Sequence, residues 1–362
     1  MSKCFLCYCG YKEMLEERRL SFLPLCVILL LVPWSGRRAA KGKIKKGGAY
    51  MNTTIHMKRS QIGNSFPLLM AAAIWGFSFV AQSVGMDYVG PFTFTAARGL
   101  LGGFFLLIII QAVNCYAKTR VKKPEELKDK KTSRDLAIGG TLCGLLLAGG
   151  MNLQQFGIQY TTVGRAGFIT ALYIVIVPIL GMIFFHKKSR LAIWLSVALA
   201  LVGLYLLCIT EEFGIGMGDL YILISSIFFS LHMLVIDHYS PKVSGVKMSC
   251  IQFFVSGGLS LILALCTEQI RWTSLTAAWQ PLLYAGVLSC GAAYTLQIIG
   301  QRNVNPTAAS LLLSLESCIS VLAGWVILGE RLTLREGIGC VLMFAGVILA
   351  QLPDKADQKE VS

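Results

Sequence analysis

Apolar runs of about twenty residues, separated by short polar breaks, recur from Phe66 to Leu352. At ~1.5 Å of rise per residue, about twenty residues cross a ~30 Å hydrocarbon layer. The pattern predicts ten spans, near Phe66–Val84, Phe92–Val113, Asp135–Gly157, Thr162–Phe185, Leu191–Ile209, Gly218–Ile236, Met248–Cys266, Pro281–Ile299, Pro306–Leu328 and Leu334–Leu352. The ninth carries an acid, Glu316, about 15 Å from its start and so near mid-membrane. An acid at that depth is costly and is kept where it faces a cavity, a partner or a permeant solute.

Composition agrees with the pattern. The 362 residues are 55% hydrophobic and 14% charged, with a mean hydropathy of +0.65, the balance of an all-α polytopic membrane protein. The net charge of +14 is concentrated outside the spans: residues 1–59 hold twelve Lys and Arg against Glu13, Glu16 and Glu17. No basic face interleaved with aromatics appears, so no nucleic-acid partner is expected. Most of the twelve cysteines are single residues inside apolar runs, which suits small core hydrophobes better than a disulfide framework. Cys4, Cys7 and Cys9 are closely spaced, but nothing nearby completes a metal site, and neither metal nor cofactor is expected.

Residues 1–65 read as an N-terminal extension. The run Leu20–Trp34 is short for a span and broken by Pro24, which suits a signal core or an interfacial segment. A basic, Gly-rich stretch follows instead of a cleavage site. A fresh pattern begins at Met57 with Met-Lys-Arg before the first span, and the expectation is that translation starts at Met57 or Met51.

Charge sets the orientation. Lys118, Arg120, Lys122, Lys123, Lys128, Lys130, Lys131 and Arg134 follow the second span; Lys187, Lys188 and Arg190 follow the fourth, and Lys242 and Lys247 the sixth. Arg302 follows the eighth, and Lys355 and Lys359 lie in the tail, residues 353–362. The opposite side offers only Arg165, Arg271, Arg331 and Arg335. The positive-inside rule and an even span count therefore predict both termini cytoplasmic in a multi-pass plasma-membrane protein.

The chain repeats itself. The stretch from Gly167 (GFITALYIVIVPILGMIFFHKKSRLAIWLSVALALVGLYLL) parallels the one from Pro306: a long helix, a short charged turn, a restart and a small-Gly-aliphatic ending, with Gly203 echoing Gly346. Ile74-Trp75-Gly76-Phe77-Ser78 is likewise echoed by Ile227-Phe228-Phe229-Ser230, each followed by a loop proline, Pro91 and Pro241. The repeats cover 66–209 and 217–352, five spans each. An odd number of spans turns the second copy upside down, the arrangement of many secondary transporters.

At this point the sequence resembles a known family. AAIWGFSF in the first span, Arg98 in FTAARGLL and SLESCISVLAGWVILGERLTLREGIGCVLMFAGVIL are similar to the EamA repeat of the drug/metabolite transporter superfamily. The resemblance implies ten transmembrane helices in two inverted five-helix EamA repeats, and a carrier exporting or exchanging small metabolites by alternating access. Two departures stand out. Ser317 follows the ninth-span acid where the family often has proline, which predicts a straighter helix. His186-Lys187-Lys188 replaces a Gly-Glu turn in the first repeat, leaving Glu330 without a counterpart.

Several residues are candidates for binding or coupling. Arg98, roughly 9 Å into the second span, would attract an anionic solute group or pair with Glu316, or snorkel to the interface. Glu316 would carry a proton, pair with Arg98, or be satisfied by Ser314 or Ser317. Trp75 lies mid-span, away from the headgroup belts, and would wall a cavity or simply pack. Asn152, Gln154, Gln155 and Gln159 form an amide patch in the third span, with Gln252, His232, Tyr294 and Gln297 adding similar chemistry elsewhere. Singly these suit helix-to-helix hydrogen bonds, each worth about 0.6 kcal/mol; together they would line a polar cavity for an amino-acid-like solute. Gly139, Gly140, Gly144, Gly149 and Gly150 make the third span slim enough for close crossing.

The expected function is a secondary transporter of a small polar metabolite, with proton-coupled export or exchange as its open mechanism. The alternatives are a membrane-embedded enzyme, a channel or a scaffold. An enzyme is disfavoured because His56, His186, His232 and His238 are scattered and no H-E-x-x-H occurs. No G-x-x-x-x-G-K-[ST] loop supports ATP-driven transport. The partners implied are a small-molecule solute and the lipid bilayer, with a homodimer left open.

Overall fold

The computed structural model describes residues 50–120, 130–161, 163–185, 191–208, 216–302, 304–319 and 333–350, and these are helical with no strand among them. The elements are α1 (Tyr50–Gly85), α2 (Pro91–Arg120), α3 (Lys130–Ile158), α4 (Val163–Ala171), α5 (Tyr173–Phe185), α6 (Leu191–Cys208), α7 (Met217–Tyr239), α8 (Gly245–Thr267), α9 (Trp272–Ala277), α10 (Trp279–Leu283), a π-helix (Tyr284–Ala293), α11 (Tyr294–Gln301), α12 (Pro306–Leu313) and α13 (Leu334–Ala350). Seven stretches are long and apolar enough to cross a membrane: Ser65–Gly85, Pro91–Tyr116, Lys131–Ile158, Ala166–Phe184, Met217–Tyr239, Gly245–Thr267 and Trp279–Gln301. The fifth and ninth expected spans are represented by shorter apolar helices, Leu191–Leu206 and Pro306–Ile319, and the tenth by the 17 residues of α13. The remainder of the ninth span, the Glu330 turn, residues 1–49 and residues 351–362 lie outside the described residues.

Large apolar side chains such as Phe104, Ile108, Ile183 and Val341 stand exposed on the periphery, as they would against lipid. Inside, serines and threonines return their hydroxyls to carbonyls one turn back: Ser196 to Ala192, Ser230 to Ser226, Thr295 to Gly291 and Ser314 to Leu311, at 2.7–2.9 Å. Each polar side chain is thereby satisfied within its own helix, which a bilayer demands.

The helices pair across the two halves of the chain. α2 runs along α8, α3 along α7 and α8, α6 along α13, and the π-helix packs on α1 and α2. Small residues make these approaches possible. On α3, a Cβ at Gly140 would stand 2.8 Å from Ile251 and one at Gly144 2.5 Å from Val255, both on α8, while Gly139, Gly149 and Gly150 face α7. At the start of α2, Pro91 fills a position where its missing N–H costs nothing. The free N–H groups of Phe92 and Thr93 donate to the two carboxylate oxygens of Glu268, at 2.9 and 2.8 Å, and the Thr93 hydroxyl adds a third bond at 2.6 Å. Glu268, at the end of α8, thus caps a helix of the other half.

Two spans are interrupted near their middles. The fourth breaks at Leu172, between α4 and α5; the ninth breaks at Ser314, after which residues 315–319 are helical again. Ser314 accepts from the Ser317 N–H at 3.2 Å, an i to i+3 bond that tightens the turn. Ser314 itself keeps right-handed helical angles and its N–H bonds the Ser310 carbonyl at 3.0 Å, so this is a one-residue tightening in the span that Ser317 is expected to leave straighter.

Candidate functional site

Between the halves lies a cavity of about 60 Å³, with walls drawn from α1, α2, α3, α4, α5, α7, the π-helix, α11, α12 and the segment that follows α12. Seven of the residues singled out from the sequence line it: Arg98, Glu316, Trp75, Gln154, His232, Tyr294 and Gln297. It is smaller than the ~300 Å³ at the low end of ligand pockets.

Arg98 is 2% exposed. Its helix reaches this depth because α2 meets the π-helix through glycine: a Cβ on Gly102 would lie 2.7 Å from the Cβ of Cys290 and 2.9 Å from the Gly286 carbonyl. The guanidinium stands 5.7 Å from the Phe94 ring one turn back. Its Nε and Nη2 are buried without a hydrogen-bond partner among the described residues. It does not snorkel.

Glu316 is 4% exposed and sits just past the break at Ser314. Its Oε1 accepts from the Tyr173 hydroxyl at 3.3 Å, joining the interrupted fourth span to the interrupted ninth. Neither serine satisfies it: Ser314 donates to Leu311, and the Ser317 hydroxyl is buried with no partner among the described residues. Nor do Arg98 and Glu316 form an ion pair among the described residues. They share one cavity, with Tyr294 also in its wall.

Tyr294 is the hub of the aromatic wall, edge-on to Trp75 at 4.6 Å, Phe253 at 5.3 Å and His232 at 6.0 Å between ring centres. The π-helix presents it: the Tyr294 N–H reaches back five residues to Ser289, another lining residue. π-turns are rare and concentrate at functional sites. His232 donates through Nε2 to Gln252 Oε1 at 3.1 Å, and the Gln252 amide donates on to Ser249 at 3.4 Å.

Three residues from the sequence reading stand behind the cavity. Asn152 donates to Ala148 and to Ser260 on α8, both at 2.7 Å; Gln155 donates to the Gln82 carbonyl of α1 at 3.2 Å; and Gln252 supports His232. The reason is helical geometry: successive residues of α3 point about 100° apart, so a run of amides cannot share one face. Gln154 faces the cavity and donates to Thr170 at 3.0 Å.

Sequence reasoning passed over Ser78, Gln82, Thr170, Tyr173 and Ser289, which also line the cavity. Two signals were available. Trp75, Ser78, Phe79 and Gln82 follow the i, i+3, i+4, i+7 spacing of one helix face. Tyr173 is separated from Glu316 by the same interval that separates Leu191 from Leu334 and Gly203 from Gly346, so the repeat register itself points to it. Among the described residues no group of three or more His, Cys, Asp or Glu is placed to hold a metal ion.

The sequence model of the EamA-like transporter family matches residues 65–209 and again 216–352. An uncharacterized transporter of Archaeoglobus fulgidus is 27% identical over 285 residues, 79% of this chain and 84% of that protein. The uncharacterized transporter YoaV of Bacillus subtilis is 22% identical over 291 residues, 78% of this chain and 94% of its own length. GDP-fucose transporter 1 of Dictyostelium discoideum is 22% identical over 258 residues, 66% of this chain and 68% of that protein. A solved crystal structure aligns with a TM-score of 0.64 at 17% identity, over 83% of this chain and 99% of the other, a likeness of fold alone.

Proposed function

The chain belongs to the EamA-like transporter family, and from that premise we propose that it is a secondary transporter moving a small polar, amino-acid-like metabolite across the cytoplasmic membrane by alternating access. The observation that carries this reading is the placement of Arg98 and Glu316, one cation and one acid, in a single buried cavity walled by both halves of the chain. Charges so placed are expensive in lipid and are retained where a solute or ion meets them.

The ten-span, inverted-repeat architecture belongs to the same proposal. Its support is the packing pattern, in which exchanging each span of one half for its counterpart in the other leaves the principal pairings unchanged. The second on seventh and fifth on tenth map to themselves, while third on sixth maps to eighth on first and third on seventh to eighth on second. With both termini cytoplasmic, as the basic loops predict, the cavity would lie between two oppositely oriented bundles, where such carriers bind solute.

Glu316 is the group through which a proton would be exchanged. Its hydrogen bond to Tyr173 crosses between the halves, so a rocking motion would break it and change the surroundings of the acid. Solute counterflow in proteoliposomes tests the whole reading: a carrier exchanges labelled for unlabelled solute without net flow, while a channel, scaffold or enzyme does not. Absence of counterflow for every metabolite that accumulates or disappears on deletion would overturn it.

A further inference from the structure

We propose that Arg98 is a carboxylate receptor, so that the solute is a zwitterion docking one singly charged carboxylate along the Nε–Nη2 edge of the guanidinium. The inference rests on the cavity being the solute site and adds the chemical group that is recognised there.

The two orphaned donors of Arg98 are the first ground. Nε and Nη2 are adjacent along one edge of the planar guanidinium, and both are buried without a partner among the described residues. That edge matches the two oxygens of a carboxylate, the bidentate geometry for which arginine is suited and lysine is not. The acid that shares the cavity leaves the edge free, because Glu316 is engaged with Tyr173 and not with Arg98.

Register between the halves supplies the second ground. Gln252 lies as far into α8 from Gly245 as Arg98 lies into α2 from Pro91. At that position the second half holds a neutral amide that bonds His232 and Ser249. The place in the helix therefore accepts a neutral polar side chain, and the charge in the first half answers a need other than packing.

Charge balance narrows the class. The lining carries one guanidinium and one carboxyl. A diphosphate, as in the sugar nucleotide named for the Dictyostelium relative, would bring two or more negative charges to one arginine beside Glu316. A purely cationic amine would set like charges together at Arg98. A zwitterion leaves neither group uncompensated: its carboxylate would meet Arg98 and its amino group would face Glu316.

The test uses the purified full-length chain in detergent and follows thermal unfolding with the common L-amino acids, their carboxamides and their decarboxylated amines at about 10 mM each. For at least one amino acid the midpoint should rise by about 2–4 °C, with no rise for its amide or amine. Arg98→Gln should abolish that rise while its own ligand-free midpoint stays at or above that of the wild type; Arg98→Lys should retain only part of the rise. An equal rise with amides or amines, no rise with any amino acid, or a lower ligand-free midpoint in Arg98→Gln would each overturn the proposal. Counterflow separates it from the transport reading. A stabilising carboxylate that is not exchanged removes transport and leaves the receptor, while amides exchanged as fast as acids remove the receptor and leave transport.

Discussion

The two halves of the chain, 65–209 and 216–352, put unlike chemistry at matching positions. Where the first half has Arg98, the second has Gln252; where the second has Glu316, the first has Tyr173. Each half thus gives one charged and one neutral polar residue, and only one of the neutral two touches a charged group. Gln252 orients His232, a lining residue, and Tyr173 donates to Glu316. The difference teaches that a duplicated scaffold need not yield a symmetric site. Packing is shared by the halves, with α6 on α13 and α2 on α8 meeting through glycines in both, but charge is divided between them.

The comparison can be broken or sharpened by experiment. The largest effect is expected from neutralising either charge: Glu316→Gln and Arg98→Ala should each lower counterflow by about a hundredfold or more, with membrane insertion unchanged on a fluorescence-detected sizing column. Unchanged flux in either variant would remove that residue from the site. Exchanging the register partners, Tyr173→Glu with Glu316→Tyr, should restore part of the flux lost in either single variant, because the pair of groups is kept with the halves reversed. A double variant no better than the singles would mean that the positions are not equivalent.

Smaller effects probe the scaffold. Gly102→Ala places a methyl 2.7 Å from Cys290 and should cost about 1–3 kcal/mol, read as a lower unfolding midpoint, whereas Gly258→Ala, with nothing within 4 Å, should be close to neutral. Tyr173→Phe deletes one hydrogen bond to the acid, worth about 1–3 kcal/mol, and should slow exchange by about fivefold to a hundredfold while Arg98-dependent binding persists. If Tyr173→Phe leaves flux unchanged, the cross-half bond has no part in the cycle.

Much of this arrangement was legible in the residues alone because a bilayer makes polarity conspicuous. A single Arg98 or Glu316 inside an apolar run stands out, and so do Gln154, Gln297 and His232. Direction was less legible. Asn152 and Gln155 have the same composition signal as Gln154, and only the turn of α3 decides that they point to Ser260 and to Gln82 instead. Tyr173 was hidden because a tyrosine in an aliphatic run reads as bulk, its hydroxyl mattering only once Glu316 is placed opposite. The π-helix left no signal, since YAGVLSCGAA has the small, apolar content of an ordinary buried helix. Ser317 in place of proline gave no sign of the one-residue turn at Ser314, which rests on local backbone bonding between Ser314 and Ser317 rather than on proline.

The Glu268 carboxylate has a consequence for how such a molecule can open. Three charge-assisted bonds fasten the end of α8 to the beginning of α2, and Gly90 is confined beside them, where a Cβ would lie 2.4 Å from the carboxyl carbon. Bonds of that kind are worth about 1.5–3 kcal/mol each, so pulling these two helices apart at this end is a costly way to move. In an alternating-access cycle α2 and α8 would then move together, fastened at Glu268 and carrying Arg98 with them, and the yielding seams would lie elsewhere, along the glycine-lined flanks of α3 and the π-helix.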